Sequence, residues 1–434
     1  MAKYQQYEEY KDSGVEWLGE IPSHWEAKRL GQFFKERREK VSDKDYAALS
    51  VTMKGIVPQL ENAAKSDAGD NRKLVLKNDF VINSRSDRKG SSGTSPFDGS
   101  VSLISIVLEP RDISPSFVHH LLRSYPFQEE FYRYGKGIVA DLWSTNSSEM
   151  KNILIPNIPI DEQTQIAKFL DHETAQIDTL IEKQQTLIQL LKEKRQAVIS
   201  HAVTKGLNPD APMKESGVEW LGEVPEHWDL SPLKYLCNFS GGGTPTKDNL
   251  SYWTGGTIPW VSPKDMKSFW IDKTQDYITE NAVKESSTKL IKAGSLLMVV
   301  RSGILQRTIP IAINTVDVTM NQDMRALQFN ERMTSEYAAN YIVGNVDKLL
   351  FAWSKEGATV ESIEHEYLSN SLFPVPPLAE QQQIVDKINE QMKTFESLAS
   401  KAQKAIQLMQ ERRTALISAA VTGKIDVRGW QAPE

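Results

Sequence analysis

The chain is written twice. Residues 13–25 read SGVEWLGEIPSHW and residues 216–228 read SGVEWLGEVPEHW, 11 identities in 13 positions at an offset of 203. A second block opens as PIDEQTQI at Pro159, closes as AVISHAVTKG at Gly206, and returns without gaps from Pro377 to Lys424 at an offset of 218. Repetition of this kind constrains architecture before local propensity does, because both copies must take the same structure. The order is arm, variable region and long block, then the same three again with a variable region 15 residues longer.

The spacing of apolar residues predicts that each long block is a helix. Ile166, Leu170, Ile177, Leu180, Ile181, Leu187, Ile188, Leu191, Val198 and Ala202 recur at three, four and seven, which draws one stripe on a 3.6-residue helix. Its copy carries Ile384, Ile388, Phe395, Leu398, Ile406, Met409, Leu416 and Ala420. Pro159 and Pro377 stand ahead of the blocks, and Gly206 and Gly423 stand where a left-handed cap is wanted. Residues 162–203 would span about 60 Å, too long for a compact domain. The stripe, broken by polar Glu173, Gln184 and Gln391, predicts that each helix packs on the other copy. A pseudo-twofold relation makes the pair antiparallel, an inert spacer with the variable regions inverted at opposite ends.

The variable regions predict mixed α and β structure. Short apolar or alternating runs at 74–82, 101–108, 295–300, 309–313 and 324–329 have strand character, and 117–123 and 336–350 have helical character. The charged run 35–40 is expected on a solvated helix face. The fold class is therefore α+β, two globular domains joined by two long antiparallel helices. The organisation is an N-terminal arm (1–25), a first domain (26–158), a first spacer helix (159–206), a linker with the second arm (207–228), a second domain (229–376), a second spacer helix (377–423) and a C-terminal tail (424–434).

Charge does not announce a partner. The net charge is −6, and Lys+Arg exceed Asp+Glu by 20 to 17 over 26–158 but fall short by 14 to 16 over 229–376. The one cysteine, Cys237, allows no intrachain disulfide, which fits a reducing cytoplasm. No run of about 18 apolar residues marks a membrane span.

Catalytic constellations are absent from the sequence: no GxxxxGK[ST] loop, no HExxH and no close Cys/His set, so no metal is implied. The string 238–243 superficially matches a methyltransferase glycine loop, but no partner motif presents a base acceptor. A PD…(D/E)xK nuclease reading of Pro209, Asp210 and 265–267 would begin in a linker. His24 and His227 belong to the repeated arms and are expected to be structural. What remains are basic turns suited to phosphate and base-edge contact. Arg85, Arg88 and Lys89 follow a predicted strand, and Arg301 follows the equivalent strand in the second region, with Arg307, Lys247, Lys264, Asn321 and Gln322 as further candidates. Trp253, Trp260 and Trp270 could stack on bases but are expected in the core.

The doubled arm, the doubled helix start (Pro159-Ile160-Asp161-Glu162-Gln163 and Pro377-Leu378-Ala379-Glu380-Gln381) and the GGTPT…YWTGGTIPWVSPKDM stretch at 242–266 resemble the specificity subunit of a Type I restriction-modification system. The resemblance implies two target recognition domains that each read part of a bipartite site on double-stranded DNA. Because the variable regions differ in length and signature, the site is expected to be asymmetric, with a gap of roughly 6 bp when the grooves lie about one turn apart. It implies two modification subunits that carry S-adenosylmethionine and methylate adenine N6, and restriction subunits that use ATP with Mg. No cofactor is expected in this chain, and no membrane partner. The first variable region lacks the 242–266 signature. An alternative is a coiled-coil scaffold whose globular regions bind proteins.

Overall fold

The repeated blocks form two long helices, Ile160–Lys205 and Leu378–Val421. The computed structural model describes residues 4–59, 69–137, 143–354 and 362–433; the first three residues of the arm and the last of the tail lie outside them. Each helix ends on the glycine that the sequence places there, Gly206 at φ 76° and Gly423 at φ 73°, a backbone conformation that costs a residue with a Cβ.

Contacts divide the chain into two units, 1–185 with 403–434, and 186–402. Each unit therefore holds an arm, a globular region, the first half of one long helix and the second half of the other. In the first unit Ile166, Phe169, Leu170 and Ile177 share one core with Leu416, Ala420 and Val421 and with the arm residues Leu18, Ile21 and Trp25. In the second, Ile199, Ala202 and Val203 join Ile384, Val385, Ile388 and Met392 around Leu221, Val224 and Trp228. Within each unit the two helix segments run antiparallel, with Arg413 bonded to Asp178 in the first and Arg195 Nε donating to Met392 Sδ in the second.

The stripe is not uniformly buried. Ile406 is 4% exposed, and Ile181, Ile188, Leu191, Val198, Phe395 and Met409 are half-buried. Leu398 departs from the interface expected for it, with 43% of its surface exposed, as do Leu180 and Leu187 at 49% and 41%. A two-helix seam covers a narrower stripe than a helix against a domain, so flanking positions stay in solvent.

Both arms fold alike. Hairpins pair Tyr10–Asp12 with Glu20–Pro22 and Met213–Glu215 with Glu223–Pro225, closed by Ser13 N–H to Gly19 O (3.1 Å) and Ser216 N–H to Gly222 O (2.9 Å). The repeated His-Trp pair explains itself here. Trp25 and Trp228 are fully buried, while His24 and His227 lie 2.9 and 2.7 Å from Glu162 and Glu380 at the helix starts. The next residue locks the helix to its globular region. Gln163 accepts from Ser114 N–H and donates to Ile158 O, and Gln381 accepts from Thr334 N–H and donates to Pro376 O.

The globular regions share a sheet despite their different sequences. The first orders its strands Phe34–Glu36, Ser105–Pro110, Phe80–Asn83, Ser92–Thr94. The second orders Cys237–Gly241, Met324–Phe329, Leu296–Val299, Ile311–Asn314, adding Trp270–Ile271 at the edge. Several expected elements are corrected. Residues 74–82 give two strands, Arg72–Val75 and Phe80–Asn83, because Asn78 turns left-handed at φ 75°. Residues 101–108 likewise split between Gly99–Val101 and Ser105–Pro110. Residues 336–350 break at Asn345 into helices Ser335–Gly344 and Val346–Trp353. The run 35–40 is not helical: strands Phe34–Glu36 and Lys40–Val41 occupy it, since pairing with Ser105–Pro110 overrides helix propensity.

Candidate nucleic-acid interface

The two arginine turns occupy one structural position. In each region a central strand ends two residues before the arginine, Asn83 before Arg85 and Val299 before Arg301. Each arginine then forms an antiparallel bridge, Arg85 with Ser144 and Arg301 with Ser362. Those serines are themselves 218 residues apart, the offset of the helical repeat. A short 3-10 turn follows in both, Ser86–Arg88 and Gly303–Gln306.

In the first region Arg88 and Lys89 line a cleft of about 670 Å³ with Ser50, Thr52, Asn83 and Ser102. Arg85 does not line it. All three cations are held by carboxylates: Arg85 Nε is 3.1 Å and Arg88 Nε 3.8 Å from Asp87, and Lys89 Nζ is 2.5 Å from Glu129. Exposed pairs of this kind are worth about 0–1 kcal/mol, so a phosphate or base edge can replace them at little cost.

In the second region Lys247, Lys264, Asn321 and Gln322 converge on one cleft of about 520 Å³, walled by Trp253 and Trp260. The glycine signature builds it. A Cβ on Gly242 would lie 1.8 Å from Asn321 O, so only glycine admits this approach, and Gly243 N–H donates to Met320 O at 2.8 Å. Trp260, 6% exposed, donates its indole N–H to Gly243 O at 3.1 Å and meets Trp253 edge-on at 5.2 Å. Asn321 is buried and donates to Asp323 at 3.1 Å; Gln322, on the surface, accepts from Thr244 Oγ1. Lys264 pairs with Asp276 at 3.1 Å, whereas Lys247 has no partner among the described residues. The core expectation fails for Trp270, which is 49% exposed.

Arg301 and Arg307 lie outside this cleft. Both are exposed, and neither side chain is ion-paired among the described residues. The sequence reading missed Arg325, half-buried on the central strand Met324–Phe329, and the hydroxyls Ser50, Thr52, Thr244 and Ser262 that line the clefts. Nothing in a lone Arg between Met324 and Ala326 signals its position; only strand pairing reveals it. Cys237 is buried and its thiol is pushed up to about 12 by desolvation, which keeps it protonated and inert. Among the described residues no His, Cys, Asp and Glu group could hold a metal ion, and no helix is long and apolar enough to cross a membrane.

Comparison with known proteins bears on both regions. The model of the Type I restriction modification DNA specificity domain matches residues 225–408. The chain is 32% identical over 302 residues to the Type I restriction enzyme EcoR124I/EcoR124II specificity subunit of Escherichia coli, covering 68% of each chain. It is 21% identical over 440 residues to the putative Type I restriction enzyme MjaX specificity subunit of Methanocaldococcus jannaschii, covering 95% of this chain and 96% of that one. Two solved structures share the fold. One, from work on complex assembly and conformational transition of the type I R-M system, has a TM-score of 0.71 at 16% identity over 92% of this chain and 98% of that one. The other, the HsdS subunit from Thermoanaerobacter tengcongensis, has a TM-score of 0.56 at 17% identity over 93% of this chain and 98% of that one. With the doubled arm, the paired helices and two regions on one sheet plan, the chain belongs to the specificity subunits of Type I restriction enzymes.

Proposed function

We propose that the two globular regions are target recognition domains that each read one part of a bipartite, asymmetric DNA site, while the helices and arms present docking surfaces to modification and restriction subunits. The specificity subunit is the non-catalytic component of such a system. The observation that carries the reading is one sheet order with two different surfaces. The scaffold and the arginine turn are repeated, whereas the clefts beside them carry Arg88, Lys89 and hydroxyls in one region and Lys247, Lys264, Asn321 and two tryptophans in the other. Cations position a protein on phosphates, and amides and guanidinium groups read base edges. S-adenosylmethionine would be held by the modification subunits and ATP with Mg by the restriction subunits, in the cytoplasm; this chain's part is to select the site.

Methylome sequencing of cells with and without the gene tests the reading. The expected result is an N6-methyladenine motif that depends on the gene and consists of two dissimilar half-sites separated by unread base pairs. A palindromic or continuous motif would overturn it.

A further inference from the structure

One position of the shared sheet is apolar in the first region and charged in the second. Their strands are aligned by Leu108, which pairs with Glu36 on one side and Phe80 on the other, and by Leu327, which pairs with Phe239 and Leu296. Two residues before these leucines, toward the edge that carries the arginine turns, stand Ile106 in the first region and Arg325 in the second. Ile106 is 4% exposed and belongs to the core. Arg325 shares a sheet face with Leu327 and Met298, both fully buried, because side chains alternate along a strand.

An arginine in an apolar row is costly unless its guanidinium finds a partner. The Arg325 side chain has no hydrogen bond or ion pair among the described residues. It lies across its strand neighbour Gly241, where a Cβ would sit 2.9 Å from Nη1. Gly241 thus leaves room for the guanidinium over the edge strand, at the end of the sheet from which Arg301, Gln322 and the glycine turn continue. In the first region the position matching Gly241 is Arg38, whose guanidinium is 2.8 Å from Glu36. Both regions therefore place an arginine at this level, from just past the edge strand in one and from the neighbouring strand in the other. Only Arg325 is left without a carboxylate.

We propose that Arg325 is a specificity-determining residue of the second recognition domain, donating through two of its guanidinium nitrogens to the acceptor pair of a guanine edge. The assignment rests on the DNA-reading function proposed above. A guanidinium carried by a paired strand and laid over the edge-strand glycine has a restricted approach, which favours bidentate base contact over a loose phosphate contact.

The test uses the full chain assembled with its modification subunits and duplexes carrying the site mapped from methylated host DNA, with single base changes in each half-site, at two salt concentrations. Arg325→Ala is expected to lower discrimination about 5- to 150-fold at one base pair of one half-site and leave the other half-site unchanged. Arg325→Lys should not restore it, because an ammonium lacks the planar fork, and Gly241→Ala should weaken the same discrimination by displacing the guanidinium. Thermal unfolding midpoints near that of the wild type show that the variants fold. A uniform loss across all duplexes with a salt slope lower by about one would make Arg325 a phosphate contact and overturn the proposal; unchanged binding would overturn it as well. A wild-type assembly with no sequence preference would overturn the recognition function itself, and this assignment with it.

Discussion

Arg413 grips Asp178 with two nearly parallel bonds, Nε to Oδ1 at 2.8 Å and Nη2 to Oδ2 at 3.1 Å, tying the second long helix to the first within one unit. The arginine side chain is 35% exposed and the aspartate 53%, so water screens the pair. Asp178→Asn is expected to cost no more than about 1 kcal/mol, with the loss shrinking in high salt. Denaturant unfolding at two ionic strengths measures it, and a cost above about 2 kcal/mol would show that the pair anchors the seam.

Glu162 and Glu380 are repeat equivalents with different loads. Glu162 is buried and accepts from Tyr7 Oη at 2.5 Å and Trp25 Nε1 at 3.2 Å, beside His24. Glu380 faces His227, and the indole N–H of Trp228 has no partner among the described residues. Burial and the adjoining carboxylate hold the Tyr7 phenol protonated far above its ordinary range. Glu162→Ala strands two buried donors and should cost about 2–4 kcal/mol, whereas Glu380→Ala should cost about 1. Thermal melts of the two variants compare them; equal losses would contradict the asymmetry.

Two glycines, one past a helix end and one in an arm turn, predict a second contrast. A Cβ on Gly423 would lie 2.4 Å from Pro22 Cδ and 2.9 Å from Trp25, while one on Gly14 would meet nothing within 4 Å. Both residues have positive φ. Gly14→Ala should cost about 1 kcal/mol from backbone strain alone, and Gly423→Ala about 2–4 because the arm must also shift. The difference in midpoint of denaturant unfolding reads it.

Stability should fall on mild acidification through His119. Burial first, then the charges of Arg123 and His120, push its imidazole down to about 3, with Asp171 opposing; Arg123 Nη1 donates to its Nε2 at 2.6 Å. Its folded pKa lies below the unfolded value of about 6.5, so its contribution is fully present above pH 6.5 and is lost as pH falls toward 3. The unfolded chain takes up the proton first, at a cost approaching about 2 kcal/mol by pH 5. Unfolding free energies between pH 7 and 5 should slope less in His119→Gln, and an unchanged slope would exclude this group.

Arg85 and Arg301 should act on separate half-sites. If each makes a bidentate base contact, alanine in its place costs about 1–3 kcal/mol and relaxes one half-site only. Titration of both variants against half-site changes at two salt concentrations decides it. Unchanged affinity, preference and salt slope in both would place these turns in solvent.

The sequence by itself determined what depends on short-range regularity. The doubled arm and doubled block dictate two equivalent units, the 3.6-residue spacing dictates the long helices, and Gly206 and Gly423 fix where they stop. The strand Met324–Phe329 was legible to the residue. Tertiary structure decided what depends on pairing between distant segments. The charged run 35–40 became strand because Ser105–Pro110 was there to pair with it, and Trp270 left the core because its strand lies at the sheet edge. Lys247 and Asn321 share a cleft only because Gly242 lets two turns 79 residues apart in the chain touch. Arg325 stayed invisible for the same reason: its character comes from the missing side chain of Gly241, 84 positions away, and only the sheet's hydrogen bonds bring the two together.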